Sequence, residues 1–128
     1  MSKKIHVAIV GLGRVGGTFL KKLLASESKG IVIVAVAESN SDSPGIKLAK
    51  DNGIAAYEDV ENLVEMGDKI DIIFELTGNM EARKSLRAAM VRTSNSHTVI
   101  APEIMAFLIW DLVADGGELA VPERKQGY

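Results

Sequence analysis

The amino-acid sequence predicts an α/β domain built as a doubly wound parallel sheet, and three observations lead there. Short apolar runs rich in β-branched residues alternate along the chain with segments of helical apolar spacing, a pattern that gives parallel strands joined by crossover helices. The first run, Lys4 to Val10, breaks abruptly into Gly11-Leu12-Gly13-Arg14-Val15-Gly16, and a helix-periodic stretch follows. The second, Ile31 to Ala37, ends on Glu38, at about the 20-residue interval from the glycines that a dinucleotide-binding strand–helix–strand unit requires.

Each glycine of the loop has a physical task in that context. Gly11 allows the tight turn off the strand, Gly13 lets backbone approach a pyrophosphate, and Gly16 lets the helix pack closely. A helix opening near Arg14 and Val15 presents unpaired N–H groups and the positive end of its dipole to phosphates. Glu38, with Ser39 beside it, is placed to accept hydrogen bonds from an adenosine ribose. Its carboxylate repels a 2′-phosphate, so NAD is expected rather than NADP. The same glycine turn and acid would also serve S-adenosylmethionine or another adenosine ligand.

The remaining elements follow in order. The first helix is expected over Arg14 to Ser26, with Val15, Phe19, Leu20, Leu23 and Leu24 inward and Gly30 as its stop. Ser43 caps a short helix from Pro44 to Asn52. Ile54 to Tyr57 reads as a third strand, Asp59 to Met66 as a helix, and Asp71 to Leu76 as a fourth strand. That strand ends at Thr77-Gly78, on the sheet edge where ligands of open α/β folds sit; Thr77 and Gly78 are candidates to line the nicotinamide half of the cofactor. Asn79 caps a helix from Met80 to Val91, and His97 to Ala101 is the fifth strand.

The last helix, Glu103 to Ala114, is apolar on more than one face: Ile104, Met105, Phe107, Leu108, Ile109, Leu112 and Val113 cannot all point inward. One face suits the core; a homo-oligomer through residues 103–114 is expected to cover the other, the alternative being that Leu119–Val121 folds back over it. Asp115-Gly116-Gly117 ends that helix, and 118–128 is read as an edge strand and tail.

Composition narrows the function. With 128 residues, 47% of them hydrophobic and 25% charged, the chain has the size and balance of one globular domain spanning 1–128. A net charge of −2, without a basic stripe, argues against nucleic acid as a partner. No cysteine is present, which removes disulfides, thiolate metal sites and cysteine nucleophiles. His6 and His97 are far apart in sequence and no metal site is expected. No targeting or membrane-spanning segment is evident, so a cytoplasmic location is expected.

Val7-Ala8-Ile9-Val10-Gly11-Leu12-Gly13-Arg14-Val15-Gly16, then Val34-Ala35-Val36-Ala37-Glu38, then Asp71-Ile72-Ile73-Phe74-Glu75-Leu76-Thr77-Gly78 resemble the NAD(P)-binding halves of homoserine dehydrogenases. Aspartate dehydrogenases and the glucose–fructose oxidoreductase superfamily share that layout, and the resemblance covers residues 4–102. It implies a Rossmann fold and a dinucleotide held by the glycine loop, Glu38 and the Thr77-Gly78 turn. Those enzymes place a lysine after the fifth strand or in a following domain; here that turn reads Ala101-Pro102-Glu103-Ile104. No catalytic residue is therefore assigned, and Glu75 and Glu103, the carboxylates nearest the expected cleft, are read as structural. The expected role is a stand-alone NAD(H)-binding or sensing module. The alternative is the cofactor half of an oxidoreductase completed by another domain or chain.

Overall fold

In a computed structural model the described residues are 4–26 and 30–113. They form a five-stranded parallel sheet, β1 (Ile5–Val10), β2 (Ile31–Ala37), β3 (Ala55–Tyr57), β4 (Ile72–Glu75) and β5 (Val99–Ala101), in the order β3-β2-β1-β4-β5. Helices α1 (Arg14–Ala25), α2 (Pro44–Asp51), α3 (Val60–Val64), α4 (Met80–Arg92) and α5 (Glu103–Val113) connect and cover it, with a 3-10 turn at Gly67–Lys69. The predicted doubly wound sheet is what the chain forms. Crossovers from β1 run outward in both directions, so the C-terminal ends of β1, β2 and β4 meet where the strand order reverses.

Two apolar layers sandwich the sheet. On one face Val7, Ile9 and Phe74 pack with Phe19 and Leu20 of α1 and Ala106 of α5; Phe19 meets Phe74 edge-on, centroids 5.0 Å apart. On the other, Ala8, Val10 and Ile73 pack with Leu63 and Val64 of α3 and Leu86 of α4. Arg92 also bonds Glu61, tying α4 to α3. β2 carries an irregularity that alternation did not foretell. Val7 pairs with Ile33 but Ala8 with Ala35, so Val34 is an extra residue, and Val34 and Ala35 both turn to the α3–α4 face. The bulge advances the end of β2 by one residue, bringing Ala37 level with Val10 and Glu38 beside the glycine loop.

Several boundaries differ from expectation. α1 closes at Ala25 with Ser26 as its C-cap; Gly30 is no helix stop but leads into β2, its carbonyl accepting the Ile5 N–H at 2.7 Å. Ser43 stands at the N-cap of α2 without capping it; its hydroxyl donates to the Leu12 carbonyl at 2.8 Å instead. β5 begins at Val99 rather than His97, because the Asn95 side-chain oxygen holds the His97 and Thr98 amides in a turn (3.0 and 3.1 Å). The two histidines, remote in sequence, bracket one carboxylate at the N-terminal edge of the sheet: Asp71 lies 3.4 Å from the His6 ring and 2.7 Å from the His97 ring. No group of three or more ligating side chains suited to a metal occurs among the described residues.

α5 splits as its composition suggests. Glu103 and Ala106 face inward and are buried, while Ile104, Met105, Leu108 and Leu112 stand 40–77% exposed. Trp110 is half-buried beneath Lys22, whose Nζ lies 5.8 Å from the ring. The expected Asp115–Gly117 stop and the strand and tail at 118–128 lie outside the described residues. No described helix is long and apolar enough to cross a membrane.

Candidate dinucleotide site

A cleft of about 710 Å³ opens at the C-terminal edge of the sheet, bounded by the glycine loop, the tip of β2, the β3–α3 turn and the β4–α4 turn. Of the residues singled out from sequence, Gly11, Gly13, Arg14, Val15, Glu38, Ser39 and Thr77 line it. Leu12 does not: its side chain is 2% exposed and belongs to the core, and it serves the site through backbone. Gly16 lies behind the loop and Gly78 beside the cleft wall.

The loop glycines separate into two kinds. Gly11 has φ +94°, and a Cβ there would lie 2.8 Å from the Thr77 nitrogen. A Cβ on Gly16 would sit 1.7 Å from the Gly11 carbonyl oxygen. Both are dictated by the fold itself. Gly13 is different. Its φ of −73° suits any residue, and a Cβ there would meet no protein atom within 4 Å. Nothing among the described residues requires glycine at 13, and the position opens onto the cleft.

Gly13 is the N-cap of α1, whose first turn has neither a side-chain cap nor an acid. α3 and α4 are finished differently: Asp59 accepts from the Glu61 amide at 2.9 Å, Asn79 from the Glu81 amide at 2.8 Å, and each has a glutamate in its first turn. The uncapped positive end of α1 faces the cleft, a polarity that favours an anion over a cation there. Arg14 is the one lysine or arginine lining the cleft among the described residues.

Glu38 is half-buried and fixed at both oxygens. Oε1 accepts the Leu12 N–H at 2.6 Å and Oε2 the Asn40 N–H at 2.8 Å. Each oxygen keeps a second acceptor direction, enough for the two hydroxyls of a ribose. Glu58 and Asp59, which sequence reasoning did not assign to the site, add acids to the same edge. Their signal was topological, for they follow directly on the end of β3.

Across the cleft, Glu75 at the end of β4 is fully buried, and its Oε1 accepts the Thr77 hydroxyl. Its Oε2 has no hydrogen-bond partner among the described residues. The Thr77 oxygen in turn accepts the Asn79 N–H at 2.9 Å. Glu103 is likewise buried, at 1% exposure.

The family described as homoserine dehydrogenase, NAD binding domain, matches residues 11–106. No curated protein sequence matches the chain significantly. Similar solved structures include homoserine dehydrogenase from S. aureus, 20% identical with a TM-score of 0.57 over 88% of this chain. Myo-inositol 2-dehydrogenase from Lactobacillus plantarum is 21% identical, TM-score 0.53 over 78%. An oxidoreductase from Agrobacterium radiobacter, in complex with NAD+, L-tartaric acid and magnesium, is 20% identical, TM-score 0.58 over 77%. At these identities the likeness is one of fold. The chain spans only 30%, 36% and 27% of those three chains, respectively.

Proposed function

We propose a function from a plain premise: the chain belongs to the family of NAD-binding domains of homoserine dehydrogenase. It is an NAD-binding Rossmann domain. The pyrophosphate crosses Gly13 onto the uncapped N-terminus of α1, with Arg14 neutralising charge beside it. The adenosine ribose bonds the free acceptor directions of Glu38, next to Ser39. The nicotinamide half reaches toward Thr77 and Gly78. The observation that carries this reading is Gly13, a glycine that neither backbone angle nor neighbouring atoms require. Glu38, Glu58 and Asp59 on one edge disfavour a 2′-phosphate, so NAD is preferred over NADP.

NAD, when bound, supplies a hydride acceptor. The chain's residues bind and orient it, and no side chain lining the cleft is assigned as proton donor or acceptor to a second substrate. The first reading is accordingly a dinucleotide-binding or sensing module. The second, a cofactor half of an oxidoreductase, is favoured by the dehydrogenase family match, with the substrate held by another domain or chain. Location in the cytoplasm accords with both. The exposed stripe Ile104, Met105, Leu108 and Leu112 supports self-association through α5, since paired burial of such side chains contributes roughly 1.5–3 kcal/mol each.

Calorimetric titration of the chain with NAD+, NADP+ and S-adenosylmethionine tests the reading. Saturable heat with NAD+, weaker heat with NADP+ and none with S-adenosylmethionine is expected. Tighter binding of S-adenosylmethionine than of NAD+ would replace the dinucleotide by another adenosine ligand.

A further inference from the structure

Glu75 is a fully buried carboxyl group that neither the glycine loop nor the ribose site uses. Charged side chains are almost never fully buried without a specific partner. The partner here is the Thr77 hydroxyl, which donates to Glu75 Oε1. That bond decides what Thr77 offers the cleft it lines. A threonine hydroxyl has one proton and two acceptor directions. The proton is directed inward to Glu75, with the Asn79 carbonyl a longer contact at 3.4 Å, and one acceptor direction takes the Asn79 N–H. The direction left over is an acceptor.

Thr77 cannot readily move away from this arrangement. Its backbone nitrogen lies where a Cβ on Gly11 would come within 2.8 Å, so the β4–α4 turn is seated against the glycine loop. The Asn79 side chain, which could otherwise rotate toward the cleft, is engaged at the Glu81 amide. Restoring a donor at Thr77 requires breaking the Glu75 bond and leaving both carboxyl oxygens of a buried group without partners.

Resting on the NAD reading, we infer that Glu75 is a positioning residue for the nicotinamide end of the cleft. By taking the Thr77 proton it makes Thr77 Oγ1 an acceptor, which selects a ligand group bearing N–H or O–H. The carboxamide and ribose hydroxyls of a nicotinamide nucleoside are such groups. A phosphate oxygen or carboxylate is not, and meets a lone pair there. The two ends of the cleft are thereby told apart: donors and positive charge at Gly13 and Arg14 for the pyrophosphate, an acceptor at Thr77 for the nucleoside beyond it.

The test compares NAD+ with ADP-ribose, which lacks the nicotinamide, by calorimetry on the full chain. The wild type is expected to bind NAD+ the more tightly. Thr77→Val and Glu75→Leu each lose about tenfold in NAD+ affinity, the value of one hydrogen bond, while ADP-ribose binding stays within about twofold. Thr77→Ser restores the wild-type ratio, and the double variant is no worse than either single one. Thr77 is exposed, so its variants decide the matter even if Glu75→Leu does not fold. Thr77→Val binding NAD+ like the wild type, or losing both ligands in equal measure, overturns the inference and leaves the NAD reading standing. A wild type that binds neither ligand overturns the NAD reading and this inference with it.

Discussion

Replacing Gly13 with alanine separates the ligand's demands from those of the fold, and Gly16→Ala is its counterpart. At Gly13 the backbone, φ −73° and ψ −150°, is accessible to alanine, and the new methyl meets no protein atom within 4 Å. The unfolded chain loses freedom, a stabilisation of about 0.4–1 kcal/mol. Alanine is the poorer N-cap, by about the same amount. The two effects offset, so the melting temperature should stay within roughly 5 °C of wild type. The methyl does protrude to the cleft side, where it holds a phosphate away from the α1 amides. Losing one charge-assisted hydrogen bond, about 1.5–3 kcal/mol, weakens NAD+ by ~10- to 150-fold. Gly16→Ala reverses the pattern. Its methyl would stand 1.7 Å from the Gly11 carbonyl oxygen, and alanine has no rotamer through which to escape. The backbone must shift, at a cost of about 1–3 kcal/mol or more, a large share of a total stability of about 5–15 kcal/mol. Urea denaturation followed by circular dichroism gives the stabilities, and calorimetry with NAD+ the affinities. A folded Gly13→Ala chain with undiminished NAD+ affinity would refute the passage of pyrophosphate over Gly13.

Three further outcomes are expected. Glu38→Ser should narrow the gap between NAD+ and NADP+ dissociation constants by about tenfold, measured by calorimetry; an unchanged gap would mean Glu38 does not face the ribose. Asp71 is held down to about 2, from an ordinary 3.8, first by the His6 backbone N–H and then by the His97 ring. Its folded pKa is depressed, so its stabilisation is present above pH 3.8 and is lost as pH falls toward 2. Urea midpoints of wild type and Asp71→Asn should differ at neutral pH and converge across that window; a gap independent of pH would contradict the assignment. Leu108→Asp should abolish self-association at high micromolar concentration in sedimentation equilibrium without lowering NAD+ affinity, and a wild type that is strictly monomeric there would remove α5 pairing.

What could be read from sequence was local. The run from Lys4 through Gly16 carries its strand, turn and helix within one short stretch, and the structure forms them in that order, the strand opening at Ile5. Asn79 announces its helix because a cap acts on amides two residues away. Long-range consequences were not legible. Nothing in Ile31-Val32-Ile33-Val34-Ala35 marks Val34 as the extra residue, since each is equally suited to a buried strand. That bulge is nonetheless what brings Glu38 against the Leu12 amide, 26 residues away. His97 was read as the first residue of the fifth strand; the Asn95 and Asp71 side chains hold it in a turn. Glu75 was read as structural. Its carboxyl does bind within the protein, but the residue it binds lines the cleft.

The order β3-β2-β1-β4-β5 places the first strand at the centre of the sheet, and this has a consequence for a chain made from its N-terminus. β2 can zip onto one edge of β1 soon after it is synthesised. The other edge waits for β4, since His6 and Asp71 are 65 residues apart in sequence. At about 5–20 residues per second, that edge of β1 stays open for several seconds, an apolar ribbon with unpaired amides and carbonyls. During ribosomal synthesis this half-sheet presents an edge open to pairing with its copies, and holding them apart falls to whatever receives the nascent chain.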